Sequence, residues 1–354
     1  MREVIKLHNI PKIGDCLPPY LIAEIGTNHN QDIQVARKLV KTIAESGFDC
    51  AKFQIYDANE IVCSGLRSSD YGLEKYYGNI SALEMFERHL KTPKNWFPEL
   101  RDLCHQCGID CATTIHGPQG LAWARKVNFD LIKIASMDHN NLPFLRSLVN
   151  SIEAPLLISF GMAQLDDIDV AVKTLRPHHA GIGMFHCVSI YPPRPEELRL
   201  GNIPFLRQRF SVPVGFSDHA DDAVTSLAAL SLGARLFVKH VTLNKKSDGP
   251  DHPFALEPSQ MNSYVNGLRN LAEALDSSEF NAPTHRESAI RATYLKSIVT
   301  VRDLPAGHKL DAGDVTFVRP GTGIPPKDID AVIGRAVRRP LQQGAILAWE
   351  DLES

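Results

Sequence analysis

The chain has 354 residues, and 38 Lys+Arg against 41 Asp+Glu leave a formal net charge of −3. That length allows one large domain or two unequal ones, since domains run to roughly 100–200 residues and α/β barrels reach about 250 as one unit. With 44% hydrophobic and 22% charged residues the chain can bury a core; its balanced charge offers no footprint for nucleic acid, and no apolar run approaches the ~18 residues of a membrane span. The first eight residues lack the apolar stretch of a secretory signal, so a cytoplasmic protein is expected. Seven cysteines, an odd number, then read as reduced thiols. Cys104, Cys107 and Cys111 form the one cluster, and without a second pair at zinc-site spacing they read as buried structural thiols.

Eight apolar, β-rich runs bounded by turn signals follow one another at 19–26, 50–56, 109–116, 131–136, 155–162, 181–187, 212–219 and 234–243. Between them lie helical patterns at 32–46, 93–107, 117–127, 140–150, 164–175, 221–231 and 257–275. In the first, Ile33, Ala36, Leu39, Val40 and Ile43 fall on one stripe, and Asp32 stands ready as its cap, as Asp221 and Asp222 do for the 221–231 helix. Strands apolar on both faces, alternating with helices, predict an α/β fold with a parallel sheet closed into a (β/α)8 TIM barrel. A doubly wound open sheet is the competing architecture, but no run leads into a G-x-G-x-x-G turn.

Polar residues gather at the C-terminal ends of the runs, the face where a barrel places its active site. They include Glu24, Lys52, Gln54, Thr113, Lys133, Ser136, Asp138, His186, Ser189, Tyr191, Ser217, His219, His240 and Asp251. Lys52 and Lys133 stand inside apolar strands, where a lysine needs a partner. Together with the hydroxyls of Thr113 and Ser136 they suit a carboxylate or phosphate; the alternative is that each pairs with a barrel carboxylate such as Glu24 or Asp138. His219 and His240, closing the seventh and eighth runs, form a candidate divalent-metal pair with positions open for water and substrate. His186, within an apolar strand, reads as hydrogen-bonded in place. Glu24 is either a proton-transfer group or the counter-charge of a lysine.

The barrel pattern fades at 276–279, the stretch 281–290 reads as a linker, and 291–354 carries short strands with Gly and Pro turns. A module of about 65 residues is near the lower limit for independent folding, so it is expected to lean on the barrel or on another subunit.

The segments 22–32 (IAEIGTNHNQD), 51–54 (AKFQ), 132–136 (IKIAS), 186–193 (HCVSIYPP), 214–219 (VGFSDH), 239–243 (KHVTL) and 249–252 (GPDH) together resemble the sialic acid synthases, or N-acetylneuraminate synthases, a family that includes the legionaminic and pseudaminic acid synthases. The tail, with VRPGTGI at 318–324, resembles their antifreeze-like (SAF) module. The resemblance implies a transferase that condenses phosphoenolpyruvate with the open-chain aldehyde of an N-acetylated amino sugar. It implies that Lys52, Thr113, Lys133, Ser136, Ser189 and Ser217 hold phosphoenolpyruvate and that His219 and His240 bind Mn2+ or Mg2+. Glu24, Gln54, Asp138, Tyr191 and Asp251 would line the sugar's path, and Arg319 would reach over from the partner of a domain-swapped homodimer. Three positions depart from the family pattern: Phe160 stands in an otherwise STGM-like segment, Asp138 replaces a glutamate, and Ser189 an amide. A metal-dependent barrel hydrolase built on His219 and His240 and a non-catalytic carbohydrate- or ice-binding protein are the competing readings. The first lacks an H-x-H pair, and the second has no need of buried Glu24, Lys52 and Lys133.

Overall fold

The computed structural model describes residues 4–275 and 280–353, so the fading pattern at 276–279 lies outside the described residues. The chain divides into two units, Met1–Asp276 and Ser277–Ser354.

The first unit begins with an antiparallel hairpin, β1 (Ile5–Leu7) and β2 (Ile10–Ile13). His8 and Asn9 turn it with φ of 51° and 64°, the paired positive values that match a two-residue turn to the twist of its strands. Eight strands follow: β3 (Tyr20–Glu24), β4 (Cys50–Ile55), β5 (Asp110–Ile115), β6 (Leu131–Ile134), β7 (Leu156–Ser159), β8 (Ile182–Cys187), β9 (Val214–Asp218) and β10 (Leu236–His240). They pair in parallel in chain order, and β10 closes on β3. The sheet is therefore a closed barrel rather than the open alternative, with one strand inside each of the eight apolar runs.

Alternation along the strands sorts the core into two layers. Tyr20, Ile22, Cys50, Ala112, Leu131, Leu157, Phe185, Leu236 and Val238 point inward and pack with Ile5, Leu7 and Ile13 of the hairpin, which plugs the N-terminal end of the barrel. Leu21, Ala23, Phe53, Cys111, Ile132, Ile158 and Phe216 point outward to the helices. The helix Ile33–Glu45 shows why that layer forms: Asp32 accepts the Gln34 N–H as its cap, and Ala36, Leu39, Val40 and Ile43 make the buried stripe. Each large apolar side chain buried this way contributes about 1.5–3 kcal/mol. Cys104 and Cys111 belong to the same layer, and burial pushes the Cys111 thiol up, away from the thiolate a metal needs.

Besides the hairpin, two features of the first unit lie outside the strand and helix patterns read from sequence. Residues 58–90 form a series of short helical turns rather than one element, and a helix at Asn202–Arg209 precedes β9. Neither carries the long apolar period that marks a helix in sequence.

In the second unit the helix His285–Tyr294, capped by the Thr284 hydroxyl, occupies much of the stretch read as a linker. None of its residues is buried, so it has no apolar stripe to announce it. Beyond it β11 (Ser297–Thr300) and β12 (Val315–Val318) pair antiparallel over a core of Ile298, Leu304, Leu310, Ile324, Val332, Val337 and Leu347.

Candidate functional site

The C-terminal ends of the barrel strands open into a cavity of about 890 Å3, on the side away from the hairpin. Of the residues singled out above, Glu24, Lys52, Gln54, Lys133, Ser136, Ser189, Tyr191, Ser217, His219, His240 and Asp251 line it. Its outer wall comes from the short helical turns of 58–90, through Tyr71, Leu73, Tyr76 and Phe86.

The two lysines differ in their partners. Lys52 is buried, forms an ion pair with Glu24, and donates to Thr114 Oγ1 at 2.6 Å. Gln54 Nε2 donates to the other Glu24 oxygen at 3.4 Å. The barrel-carboxylate alternative thus holds for Lys52. It does not hold for Lys133, for which no carboxylate lies within ion-pairing distance among the described residues. Burial, and then the charge of Lys52, pull the Lys133 ammonium down to about 8. A buried, uncompensated cation facing a cavity is a site for an anion.

A backbone cradle lies beside it. Gly161 N–H donates to Ser136 Oγ at 2.9 Å, and a Cβ at position 161 would stand 2.2 Å from Ser189 Oγ and 2.9 Å from Ser136 Oγ. Only glycine lets this turn approach both hydroxyls.

Across the cavity the His219 and His240 rings lie 5.5 Å apart, with Tyr191 against His219 at 4.1 Å. His219 Nδ1 donates to the Val188 carbonyl at 2.8 Å, which leaves the Nε2 lone pair free. Burial, and then His240, hold the His219 imidazole well below its usual value, so it stays neutral. His240 Nδ1 is buried with no hydrogen-bond partner and stands 3.2 Å from Asp251 Oδ2. The neutral His219 imidazole, and the unsatisfied His240 Nδ1 beside the Asp251 carboxylate, are donor types that a divalent ion takes. Asp251 is fixed by a brace between loops: Asn30 Nδ2 donates to the Asp248 carbonyl at 3.0 Å, and His252 bonds Asn30 and Thr242.

Two readings need correction, those of Thr113 and Asp138, and the places of Phe160 and Arg319 follow them. Thr113 shares the outward parity of Cys111 and Ile115, and its hydroxyl donates to the Thr114 carbonyl; Thr114, registered beside Gln54, is the threonine in the cavity. Asp138 does not line the cavity but bonds His116 Nδ1 at 2.8 Å, and it is His116 that does. Phe160 packs outward among the helices, its ring 6.2 Å from that of His139, so this departure leaves the cavity wall unchanged. Arg319 belongs to the second unit, where its guanidinium lies 4.9 Å over the Tyr294 ring and its Nε donates to the Tyr294 carbonyl. His186 is hydrogen-bonded in place, Nε2 to the Leu198 carbonyl at 2.7 Å. Thr114, His116 and Gly161 went unread, although strand parity counted from Lys52 and Gln54 points to Thr114.

Residues 39–280 match the NeuB family and residues 296–353 the SAF domain. The chain belongs to the NeuB family. It is 31% identical to the N,N'-diacetyllegionaminic acid synthase of Legionella pneumophila, covering 99% of each protein. It is 30% identical to the N-acetylneuraminate-9-phosphate synthase of Mus musculus, over 97% of this chain and 95% of that one. Among solved structures, the spore coat polysaccharide biosynthesis protein spsE of Bacillus subtilis superposes with a TM-score of 0.65 at 26% identity, covering 99% of each chain. In this NeuB-family chain no described helix is long and apolar enough to cross a membrane.

Proposed function

We propose that this NeuB-family enzyme condenses phosphoenolpyruvate with the open-chain aldehyde of an N-acetylated amino sugar, giving a nonulosonic acid and inorganic phosphate. The observation that carries the reading is the unpaired Lys133 ammonium beside the Gly161, Ser136 and Ser189 cradle, in one cavity with the His219 and His240 imidazoles.

Lys133, Ser136, Ser189 and Ser217 hold the phosphate and carboxylate of phosphoenolpyruvate, and Lys52, already bound to Glu24 and Thr114, adds positive charge at the barrel centre. Gln54, Tyr191 and Asp251 orient the sugar. His219 and His240 would hold a divalent ion, Mn2+ or Mg2+, which when bound would supply Lewis-acid chemistry to the sugar aldehyde. Carbon 3 of phosphoenolpyruvate forms the new bond to the aldehyde carbon, leaving positive charge at carbon 2. Water adds there and loses a proton, with Glu24 as its acceptor. The tetrahedral centre then expels phosphate by breaking its carbon–oxygen bond. The residues contribute chiefly position and preorganised charge, since both reactants bring their own reactivity.

Arg319 is proposed to meet the sugar from a partner subunit of a homodimer. The relatives named above carry different acceptor names at nearly equal identity, so the acceptor is set by assay. The purified protein with phosphoenolpyruvate, Mn2+ and a panel of 2-acetamido and 2,4-diacetamido sugars should release phosphate and yield a nonulosonic acid mass. A folded protein that turns over none of them overturns the reading.

A further inference from the structure

At the end of the barrel opposite the cavity, three side chains from three separate elements meet. His8 sits at the tip of the hairpin, His105 in the last turn of the helix Phe97–Gln106, and Asp130 immediately before β6. His8 Nε2 lies 3.1 Å from Asp130 Oδ1 and His105 Nε2 lies 2.8 Å from Asp130 Oδ2. All three ligand atoms fall within 4.8 Å of one another, the one such triad among the described residues. The rings stand edge to face, 6.1 Å apart at 86°. Asp110 adds a fourth donor, with Oδ1 at 3.6 Å from His8 Nε2.

The carboxylates are held from behind. Asp130 Oδ2 accepts the Cys111 N–H at 2.7 Å, and Asp110 Oδ2 accepts the Tyr20 hydroxyl at 2.5 Å. Such outer bonds orient ligands to a metal, and two imidazole nitrogens with two carboxylate oxygens suit a tetrahedral zinc-type ion. The His8 side chain is 57% exposed, which gives the ion an entry path. Lys12 Nζ, 4.0 Å from Asp110 Oδ2, is a cation beside the set and lowers its affinity.

We propose that His8, His105 and Asp130, with Asp110, form a second divalent-ion site of the zinc type that staples the hairpin to the base of the barrel. None of the four lines the catalytic cavity. The ion ties the hairpin, whose Ile5, Leu7 and Ile13 plug the barrel, to the ends of β5 and β6. It acts on stability by binding the folded chain alone.

The test counts metal. The full chain carrying His219→Ala and His240→Ala is stripped with a chelator, equilibrated with Zn2+ alone and dialysed. One Zn2+ per chain should remain, and adding His8→Ala or His105→Ala should remove it together with the rise in Tm that Zn2+ brings. In the otherwise native chain, two bound Zn2+ should fall to one with His105→Ala while turnover of phosphoenolpyruvate is kept. No retained Zn2+ in the first chain, or equal retention by the His8→Ala and His105→Ala variants, overturns the site. Because the readout is bound metal, failure here is distinct from failure of the proposed reaction.

Discussion

The His116 imidazole and the Asp138 carboxylate are joined at 2.8 Å, and of the two only the imidazole faces the cavity. Asp138 is buried and satisfied by this bond, so its role is to fix the ring. His116→Ala leaves Asp138 buried and unpaired, which lowers stability, and removes any hydrogen bond the ring makes to a ligand, about 1.5–3 kcal/mol, or roughly 10–100-fold, if the Asp138-paired ring is charged. We expect the KM for the acceptor sugar to rise by that factor while phosphoenolpyruvate affinity stays within about twofold. Asp138→Asn, which keeps an acceptor for Nδ1–H, should restore most of the loss seen in Asp138→Ala. Steady-state kinetics with each substrate varied decides this, and unchanged constants would make the pair purely structural.

In its proposed role as the anion-binding cation, Lys133 should give the binding of phosphoenolpyruvate a pH dependence. Its ammonium titrates near 8 in the free protein, because burial and Lys52 both oppose the charge. The phosphate of phosphoenolpyruvate is fully ionised in this range, its second pKa being about 6. Affinity should therefore be flat below pH 8 and fall above it, by up to about tenfold per unit. Unfolding is not the cause: the folded value lies below that of the unfolded chain, so Lys133's own contribution to stability rises as pH goes from about 8 toward 10.5. Calorimetric titration across pH 7–10 measures the fall, and Lys133→Met should bind weakly with no further drop.

The barrel was legible because each strand is a short apolar run and parallel strands need helices between them; the eight runs each hold one observed strand. The polar mouth was legible for the same reason, since a lysine or glutamate inside such a run stands out. Thr114 and Thr113 are adjacent and chemically alike, and only the register of Gln54 beside Thr114 separates them. His116 and Asp138 lie 22 residues apart, and only the neighbouring strands β5 and β6 bring them together. The wall made by Tyr71, Leu73 and Phe86 comes from turns too short to carry a period.

Gly161 tests the anion cradle with one methyl group. In Gly161→Ala the new Cβ would press on Ser189 Oγ and Ser136 Oγ at distances no side chain tolerates. Displacing both hydroxyls removes two donors to an ionised ligand, each about 1.5–3 kcal/mol. Phosphoenolpyruvate affinity should fall at least about a hundredfold, with far-UV circular dichroism unchanged. Normal binding by the variant would place the anion elsewhere in the cavity.

The proposed metal pair, His219 and His240, stands beside a buried ion pair on the same two strands, Lys239 with Asp218. Lys239 and Asp218 are both fully buried and 3.1 Å apart, and Lys239 Nζ also donates to the Ala220 and Asp222 carbonyls, the latter at 3.0 Å. Asp218 accepts from the Ala220 N–H, Thr225 and Ser226, at 2.9, 2.8 and 2.6 Å. The backbone on both sides of His219 is thus pinned through one lysine and one aspartate. Lys239→Met leaves the Asp218 charge without its cation, which destabilises by about 3–5 kcal/mol. The variant's Tm should drop by several degrees, and its Mn2+ affinity should weaken beyond what partial unfolding explains, because the 218–222 turn no longer holds the imidazole. Mn2+ binding followed by electron paramagnetic resonance well below the variant's Tm separates the two effects. An unaltered Mn2+ affinity with a lowered Tm would confine Lys239 to stability alone.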